Sequence, residues 1–487
     1  MKKDFLLFIC LLVGVFQSKA QEMLGMTQSN YAGINTLMVN PSSMLNSRNW
    51  LDINLIGLDV FADNNYVFMP KEDFWIFDLL SSNYVPPKYG KYERPIMVAD
   101  NSNLKNAYIN QRLNLPSVML ANFTEAYGLS FSYRTAVSGR RIPFDVANFS
   151  YYGLEHAAQQ RIEYNDNNFS FAGISWGEIA LSYATILKHK RFDLWTGGIS
   201  LKYLLGTGGG YAKINNVRYV VLNDSTVDIR NLDAEVGFGA PINYSTNTYP
   251  GPGGLFPGRG LGFDVGVTFI RSPRELKNIY RDRLCSQRYE DYKYRIGISL
   301  LDVGRIKFAS NAQKHVYDNV SHFWEDLDLG FDNLNDILRD VSQRFYGSPT
   351  ASLTDTIVSV GLPTAFSLQY DYHYDKNVYL NGTAIIGLPI FGDVSVERPS
   401  QIAFTPRYES KAFEASLPLS LYNFHTPRIG LALRFYSFTI GTEKLGSLLG
   451  MTDFYGTDLY LSLRLVFRKG ECREPKSSTP CGRLDFE

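Results

Sequence analysis

The chain has 487 residues, 45% of them hydrophobic, and its 48 basic and 48 acidic side chains give a formal charge of zero. This balance argues against a nucleic-acid partner, which normally requires a basic surface. No run of 18 apolar residues follows the amino-terminal segment, so the sequence predicts no later membrane-spanning helix. The 32 Tyr and 32 Phe residues suit the aromatic girdles of a membrane barrel, although large soluble β-proteins are also rich in aromatic residues.

The first twenty residues have the pattern of a secretory signal peptide. Lys2 and Lys3 precede an apolar run over residues 5–16, and small residues at Ser18 and Ala20 form a cleavage site. A membrane anchor is the alternative, but the run is shorter than the roughly 20 residues that a spanning helix needs. We therefore predict removal of residues 1–20 and export to the outer membrane of a Gram-negative cell.

Most of the chain is a succession of segments in which apolar and polar residues alternate. Near its end, Leu463 and Leu465 alternate with Ser462 and Arg464. Successive side chains of a strand point to opposite faces, so each segment has one apolar and one polar face. Because helices are scarce, we predict an all-β protein, a transmembrane antiparallel β-barrel of roughly 14 strands over residues 49–467, with lipid outside and a polar lumen.

The strands differ in how clearly the alternation marks them. The clearest segments are 127–134, 261–269, 292–300, 366–374, 413–421, 428–435 and 458–467. The weaker segments are 51–60, 113–123, 169–186, 194–205, 226–239, 378–388 and 399–409. A shift of one residue would turn charged side chains such as Asp264 into lipid, so the facing of each strand is strongly specified.

Charged residues on the polar faces are expected to line the lumen. They are Arg134, Lys202, Asp264, Arg295, Asp371, Arg434 and Arg464. Such residues either set the polarity of a passage or pair with other charges and fill the barrel. Pairing is the favoured interpretation, because buried charges are usually paired.

The connections between strands are unequal, and the most distinctive is an insert over residues 310–347. Its apolar residues follow helical spacing in two series, with acids and amides between them. The series are Val316, Val320, Phe323 and Leu327, then Phe331, Leu334, Leu338, Val341 and Phe345. We predict two amphipathic helices at one rim. They either bury their apolar stripes against each other and the barrel, or they bind a partner protein or gate the lumen.

Motifs that would indicate catalysis are missing from the sequence. The six histidines include no His-Glu-x-x-His pair, and no cysteine and histidine cluster has zinc spacing. The glycine-rich stretches are not followed by Lys-Ser or Lys-Thr, as a phosphate-binding loop would be. We therefore predict a protein that is not an enzyme and that has no cofactor and no metal.

The tail over residues 468–487 is rich in Lys, Arg, Pro and Ser, and we expect it to lie in the periplasm. Cys472 and Cys481 flank a short polar segment within it. In an oxidising compartment these two residues are candidates for a disulfide that closes a small loop.

The segment before the first strand carries a family resemblance. Residues 33–44, Gly-Ile-Asn-Thr-Leu-Met-Val-Asn-Pro-Ser-Ser-Met, resemble the Asn-Pro-Ala stretch that opens barrels of the long-chain fatty-acid transporter superfamily. Residues 262–266, 301–304 and 362–363 look like recurring strand signatures of that superfamily. The whole chain is similar to an uncharacterised family of Bacteroidota outer-membrane barrels, of the same broad kind as the barrel that shuttles substrates in type IX secretion.

The resemblance implies that residues 21–48 fold inward as a plug or hatch, with Asn40 and Pro41 in its motif. In the transporters the hatch moves to let a hydrophobic ligand leave sideways through the wall. The chain departs from them where Ser42 and Ser43 replace the usual small Ala/Gly pair, and no ligand-binding set is carried over.

Two functions remain open for such a barrel in outer-membrane lipid. The first is passage of a hydrophobic or amphiphilic small molecule through a plugged lumen. The alternative is a docking or assembly platform for envelope or secretion proteins, which does not transport and uses the insert, the long loops and the tail.

Overall fold

The computed structural model describes residues 22–469 except 78–84, 86, 91–92, 123, 274–288, 290 and 326–332. Its main feature is an antiparallel sheet of 21 strands. The sheet closes on itself because the last strand, Asp458–Arg468, pairs with the first, Asn49–Asn64. Fourteen strands form the closed wall, so the predicted fold class is confirmed.

The strands follow one another around the wall in chain order, with one excursion. They are β1 (Asn49–Asn64), β2 (Val67–Phe68), β3 (Met97–Val98), β4 (Lys105–Asn114), β5 (Ser117–Ala121), β6 (Glu125–Ile142), β7 (Glu163–Lys190), β8 (Asp193–Val221), β9 (Val227–Gly239), β10 (Gly258–Arg271), β11 (Tyr294–Phe308), β12 (Ala312–Trp324), β13 (Leu353–Asp355), β14 (Val358–Gly361), β15 (Ala365–Asp375), β16 (Val378–Gly387), β17 (Gln401–Glu409), β18 (Phe413–Ser416), β19 (Leu419–Tyr422), β20 (Thr426–Ile429), β21 (Leu431–Phe435), β22 (Phe438–Thr442) and β23 (Asp458–Arg468). The pairs β4–β5, β14–β15, β18–β19 and β20–β21 each form one interrupted wall strand. Pro116, Pro363 and Pro418 lie at three of these interruptions, because proline cannot donate to the ladder.

The helices are short. They are α1 (Leu24–Thr27), α2 (Phe144–Tyr152), α3 (Leu334–Tyr346) and α4 (Leu445–Leu448), with 3-10 turns at Gly33–Met38, Pro41–Asn46, Lys71–Asp73, Ala157–Gln159 and Gly392–Val394. In the described part of the chain, none of the helices is long and apolar enough to cross a membrane.

The alternation along the strands separates the two surfaces of the wall. On β23, Ser462 and Arg464 face inward and are at most 1% exposed, whereas Leu463, Leu465 and Phe467 face outward and are 39–46% exposed. The wall therefore has an apolar outer surface and a polar interior, which is the reverse of a soluble barrel.

Aromatic side chains on the outer surface form a belt near one rim. Neighbouring rings lie 4.9–6.4 Å apart between their centroids in the pairs Trp195–Phe269, Phe269–Tyr294, Tyr294–Tyr370, Tyr408–Phe413, Phe413–Phe435 and Trp50–Phe467. Rings of this kind mark the interface between lipid and water on membrane barrels.

The two rims differ in the length of their connections. At the rim beside the aromatic belt, the connections β5–β6, β7–β8, β15–β16, β17–β18 and β21–β22 have two or three residues each, whereas residues 272–293 form one longer connection from β10 to β11. We call this the short-turn rim. The opposite, long-loop rim carries an extension in which β7 and β8, of 28 and 29 residues, continue past the wall. There β8 pairs with β9, and β9 pairs with β12. Helices α2 and α3 pack on this extension through Phe149 and Phe345.

The predicted number of wall strands was right through two errors that cancel. Segment 226–239 is β9, which pairs with β8 and β12 in the extension and does not belong to the wall. The wall instead contains β22, Phe438–Thr442, which the alternation did not mark. Five residues between a tight turn and a loop give too short a pattern to recognise.

The prediction of two helices in the insert is wrong for the first helix. Residues 312–324 form strand β12, whose register with β9 shifts between Tyr317 and Val320. Asn319 within this irregularity has a φ of +50°. Such bulges insert residues into a strand and convert a period of two into steps of three or four, which imitates helical spacing. The second series does form helix α3, whereas Leu327 and Phe331 lie outside the described residues.

Candidate functional site: the plugged lumen

Residues 22–48, which we call the plug, fill the half of the lumen next to the short-turn rim. The segment folds as α1 and two 3-10 turns, and none of its residues is exposed. Met23 and Met26 pack on Ala432 and Tyr460 of the wall. The plug therefore forms part of the barrel's interior packing.

The Asn40-Pro41 motif fits a niche made by three wall glycines. A Cβ atom on Gly198 would lie 2.5 Å from the Ser42 nitrogen, and one on Gly266 would overlap the Asn40 side chain. A Cβ atom on Gly297 would lie 2.8 Å from Asn40 Nδ2. Only glycine permits an approach this close.

Hydrogen bonds fix the same motif in place. Asn40 Nδ2 donates to Thr268 Oγ1 (3.2 Å) and to Gln369 Oε1 (3.0 Å) of the wall. Its Oδ1 accepts from the Ser42 backbone nitrogen at 3.0 Å, which caps the turn that Pro41 begins. The motif thus joins the plug to β10 and β15.

Four of the predicted lumen residues form ion pairs that hold the plug. Arg464 Nη1 lies 2.9 Å from Asp52 Oδ2 and also donates to the Ala32 carbonyl at 2.6 Å. Arg295 Nη2 lies 2.7 Å from Asp371 Oδ2 and donates to the Gln28 carbonyl at 2.8 Å.

The fourth of these residues, Arg434, holds the plug through its partner. Its Nε lies 2.9 Å from Glu414 Oε2, and that carboxylate accepts from Ser29 Oγ at 2.7 Å. These contacts satisfy plug carbonyls and hydroxyls that are shielded from water.

The other three predicted residues meet in a cluster beyond the plug. Arg134 binds Asp302 through two nitrogens, at 2.7 and 2.9 Å. Lys202 Nζ lies 2.7 Å from both Asp264 Oδ2 and Asp302 Oδ1. With Glu178, whose Oε2 is 3.2 Å from Arg134 Nη1, these residues form what we call the ionic layer.

Asp302, the centre of the ionic layer, was not among the predicted lumen residues. It lies in a bulge of β11, where the register with β10 shifts between Phe263 and Val265. It has a φ of +53°, and its backbone nitrogen donates to Asp264 Oδ1 at 2.6 Å. A bulge redirects a side chain and breaks the alternation, so counting by twos cannot assign Asp302 to the lumen. In the sequence, Asp302 falls within residues 301–304, which resemble a strand signature, but the alternation does not assign its side chain to the lumen.

A second segment enters the lumen from the long-loop rim. Residues 388–400, which connect β16 to β17 and which we call the inward loop, run alongside β14, where Val396 N donates to the Gly361 carbonyl. Arg398 at its end binds Glu22 of the plug through Nε (2.8 Å) and Nη2 (2.6 Å). Its Nη1 is 3.3 Å from Asp302. The inward loop, the plug and the ionic layer therefore meet at one guanidinium.

Above the ionic layer the lumen is filled by apolar side chains, which we call the apolar layer. Its buried members include Ile174, Trp176, Leu204, Ile306, Phe308 and Val360 of the wall and Val396 of the inward loop. Trp176 joins the two layers, since Arg134 lies 4.7 Å from its ring centroid and its Nε1 donates to Glu178.

Three small cavities lie among the described residues of this region. A polar cavity of about 40 Å³ lies between the plug and the ionic layer, and two smaller cavities measure about 10 Å³ each. A water molecule needs roughly 10–15 Å³, so the largest cavity holds only a few. Arg112 borders this cavity and, among the described residues, has no ion-pair or hydrogen-bond partner for its guanidinium.

Three of the predictions fall wholly or largely on residues that the structure does not describe. Cys472 and Cys481 lie beyond residue 469, as does most of the predicted periplasmic tail. The predicted signal peptide over residues 1–20 also lies outside the described residues.

A family model matches residues 41–443, which span most of the barrel, and its description is a family of unknown function, DUF5723. The chain belongs to the DUF5723 family. No curated protein matches it significantly.

Several solved structures resemble this member of the DUF5723 family. The toluene transporter TbuX of Ralstonia pickettii has a TM-score of 0.39 and 8% identity, covering 94% of this chain and 100% of TbuX. A FadL homologue of Pseudomonas aeruginosa has a TM-score of 0.39 and 10% identity, covering 93% and 99%. The toluene transporter TodX of Pseudomonas putida has a TM-score of 0.30 and 8% identity, covering 92% and 99%. These TM-scores are too low to support an argument about this chain. Its assignment as a barrel therefore depends on the strand order described above.

Proposed function

We propose that this protein is an outer-membrane barrel that passes an amphiphilic or hydrophobic small molecule. The observation that carries the proposal is the layered lumen, in which an apolar layer lies directly against an ionic layer. The inward loop contributes Val396 to the apolar layer. Its Arg398, at the ionic layer, binds Glu22 of the plug. An amphiphile needs these two environments side by side, because its tail and its head group require different solvation.

The outer surface supports a location in the outer membrane. It is apolar along the strands and carries an aromatic belt near the short-turn rim. In bacterial barrels short turns face the periplasm and long loops face outward. We accordingly propose that residues 1–20 act as a signal peptide and that the inward loop is reached from outside the cell.

In this proposal passage has two steps. Displacement of the inward loop removes Val396 from the apolar layer and makes room there for a hydrocarbon tail. Arg112, which borders the polar cavity, then offers an unpaired guanidinium to an anionic head group. The plug must leave its niche before the molecule can continue. No step requires the protein to form or break a covalent bond, so we propose a transporter and not an enzyme.

Flux through reconstituted protein tests this proposal. Liposomes carrying the intact barrel, or a variant lacking residues 22–48, are given a fluorescent acyl probe with an anionic head group. We expect slow, saturable entry of the probe with the intact protein and faster entry with the variant. If neither form moves the probe or conducts ions in a planar bilayer, the passage proposal fails.

The extension supports a second candidate, a docking platform for envelope or secretion proteins. Its sheet has its own buried cluster around Tyr219 and Trp324, separate from the lumen, so it is a structured surface and not a set of loose loops. Affinity capture from native membranes tests this function. Recovery of the same proteins, or of none, before and after deletion of residues 311–346 would contradict it.

A further inference from the structure

An apolar groove of about 540 Å³ lies on the outer surface of the wall, across β5, β6, β7 and β8. Eight apolar side chains line it: Val118, Leu120, Tyr127, Leu129, Leu181, Tyr183, Ile199 and Leu201. Its volume is in the range of sites that hold small ligands. The groove lies outside the lumen and plays no part in the proposed passage.

A fixed carboxylate lies at one end of the groove. Tyr127 Oη donates to Glu125 Oε2 at 2.7 Å, and Tyr183 Oη donates to Glu125 Oε1 at 3.0 Å. The turn beside it is also ordered, since Asn122 Oδ1 accepts from the Glu125 nitrogen at 2.7 Å. Two of the groove's own aromatic residues therefore hold one negative charge at the border between lipid and water.

This carboxylate still has capacity to bind a cation. A carboxylate offers about four acceptor positions, and the two tyrosines use one on each oxygen. In the described part of the chain, Glu125 has no salt-bridge partner. A cationic ligand that also carries a hydrocarbon chain would satisfy both the charge and the groove.

We propose that the groove binds one glycerophospholipid with a primary ammonium head group, as in phosphatidylethanolamine. The ammonium donates to Glu125, and an acyl chain lies along the groove. The last residues of β7 include Lys188 and Lys190, which are exposed cations at the same rim, where the lipid phosphate would lie. A quaternary ammonium has no N–H to donate, and an anionic head group is repelled by Glu125, so the site selects for the primary amine.

Native mass spectrometry of the intact barrel tests this site. The protein in mild detergent is titrated with phosphatidylethanolamine, phosphatidylcholine or phosphatidylglycerol of identical acyl chains. We expect the first lipid to bind about tenfold more tightly than the other two, since a charge-assisted hydrogen bond contributes about 1.5 kcal/mol or more.

Three variants test which residues produce the preference for phosphatidylethanolamine. Glu125→Gln should abolish the preference, and the double variant Tyr127→Phe with Tyr183→Phe should weaken it. Glu155→Gln, which changes an exposed glutamate at the long-loop rim, should leave it intact. Equal binding of the three lipids, tighter binding of phosphatidylglycerol, or a preference that survives Glu125→Gln would overturn the proposal. None of these outcomes bears on flux through the lumen.

Discussion

The plug and the inward loop close the same lumen, but different contacts hold them. The plug approaches the wall backbone at Gly198, Gly266 and Gly297 and is fixed by hydrogen bonds and ion pairs. The inward loop packs Val396 into the apolar layer, and its polar contacts lie along the loop itself. Val396 N donates to Gly361, Glu397 pairs with Arg140, and Arg398 binds Glu22 of the plug.

This difference has a physical consequence for opening. Contacts between a backbone and a glycine niche depend on steric fit to within a few tenths of an ångström, so the plug has one seated position. Apolar packing is less directional and tolerates rearrangement. We therefore expect the inward loop to move at lower cost than the plug, with Arg398 linking the two.

The largest effect is expected from Asp302→Asn, which removes the central charge of the ionic layer. Arg134, Lys202 and Arg398 would lose their common partner while remaining buried. Breaking a buried ion pair costs about 3–5 kcal/mol. Urea unfolding in lipid vesicles should show a loss of this size. Asp375→Asn, at an exposed strand end, should be neutral. Equal stability of both variants would show that the ionic layer does not stabilise the closed barrel.

Gly198→Leu tests the niche alone. The added side chain would overlap Pro41 and Ser42, and overpacking of this kind costs about 1–3 kcal/mol. The population with an unseated plug should rise roughly ten- to hundredfold, measured as open events in a planar bilayer. The control is Gly382→Leu, where a Cβ meets nothing within 4 Å. Equal conductance of the two variants would show that the niche does not seat the plug.

Arg398→Gln separates the inward loop from the plug. It removes two charge-assisted hydrogen bonds to Glu22, so hydrogen exchange at residues 23–30 should accelerate roughly tenfold while residues 39–46 keep their protection. Arg140→Gln is the matched control, because it removes a guanidinium that pairs with Glu397 of the same loop. Uniform acceleration over residues 22–48 would show that the plug moves as a single unit.

The smallest effect is expected from Val396→Ala in the apolar layer. Removing two methyl groups from a buried site costs roughly 1–2 kcal/mol, less if the inward loop repacks. Val265→Ala, on the lipid-facing surface where Val265 is 40% exposed, should cost less than half of that. A loss above about 3 kcal/mol would mean that the inward loop is as rigidly seated as the plug.

Much of the wall could be predicted because its physics is local. Alternation at each strand decides which side chains meet lipid, and it correctly assigned Arg464 and Leu465 to opposite faces of β23. It failed where a bulge interrupts the period, as at Asn319, whose strand imitated a helix, and at Asp302.

The partners of the lumen charges were harder to predict than the charges themselves. Arg398 lies on a loop with no period, and the niche depends on three glycines that come together only when the barrel closes. Such contacts join residues far apart in the chain, and a single sequence does not reveal them.

Covalent attachment of the plug to the wall tests the central claim most directly. Asn46 and Thr196 touch through their side chains, with Nδ2 and Oγ1 3.4 Å apart, so Asn46→Cys with Thr196→Cys can lock the plug in a background without the native cysteines. We predict that oxidation reduces flux of the acyl probe to the background of empty liposomes and that a reductant restores it. Unchanged flux through fully cross-linked protein would contradict passage by movement of the plug.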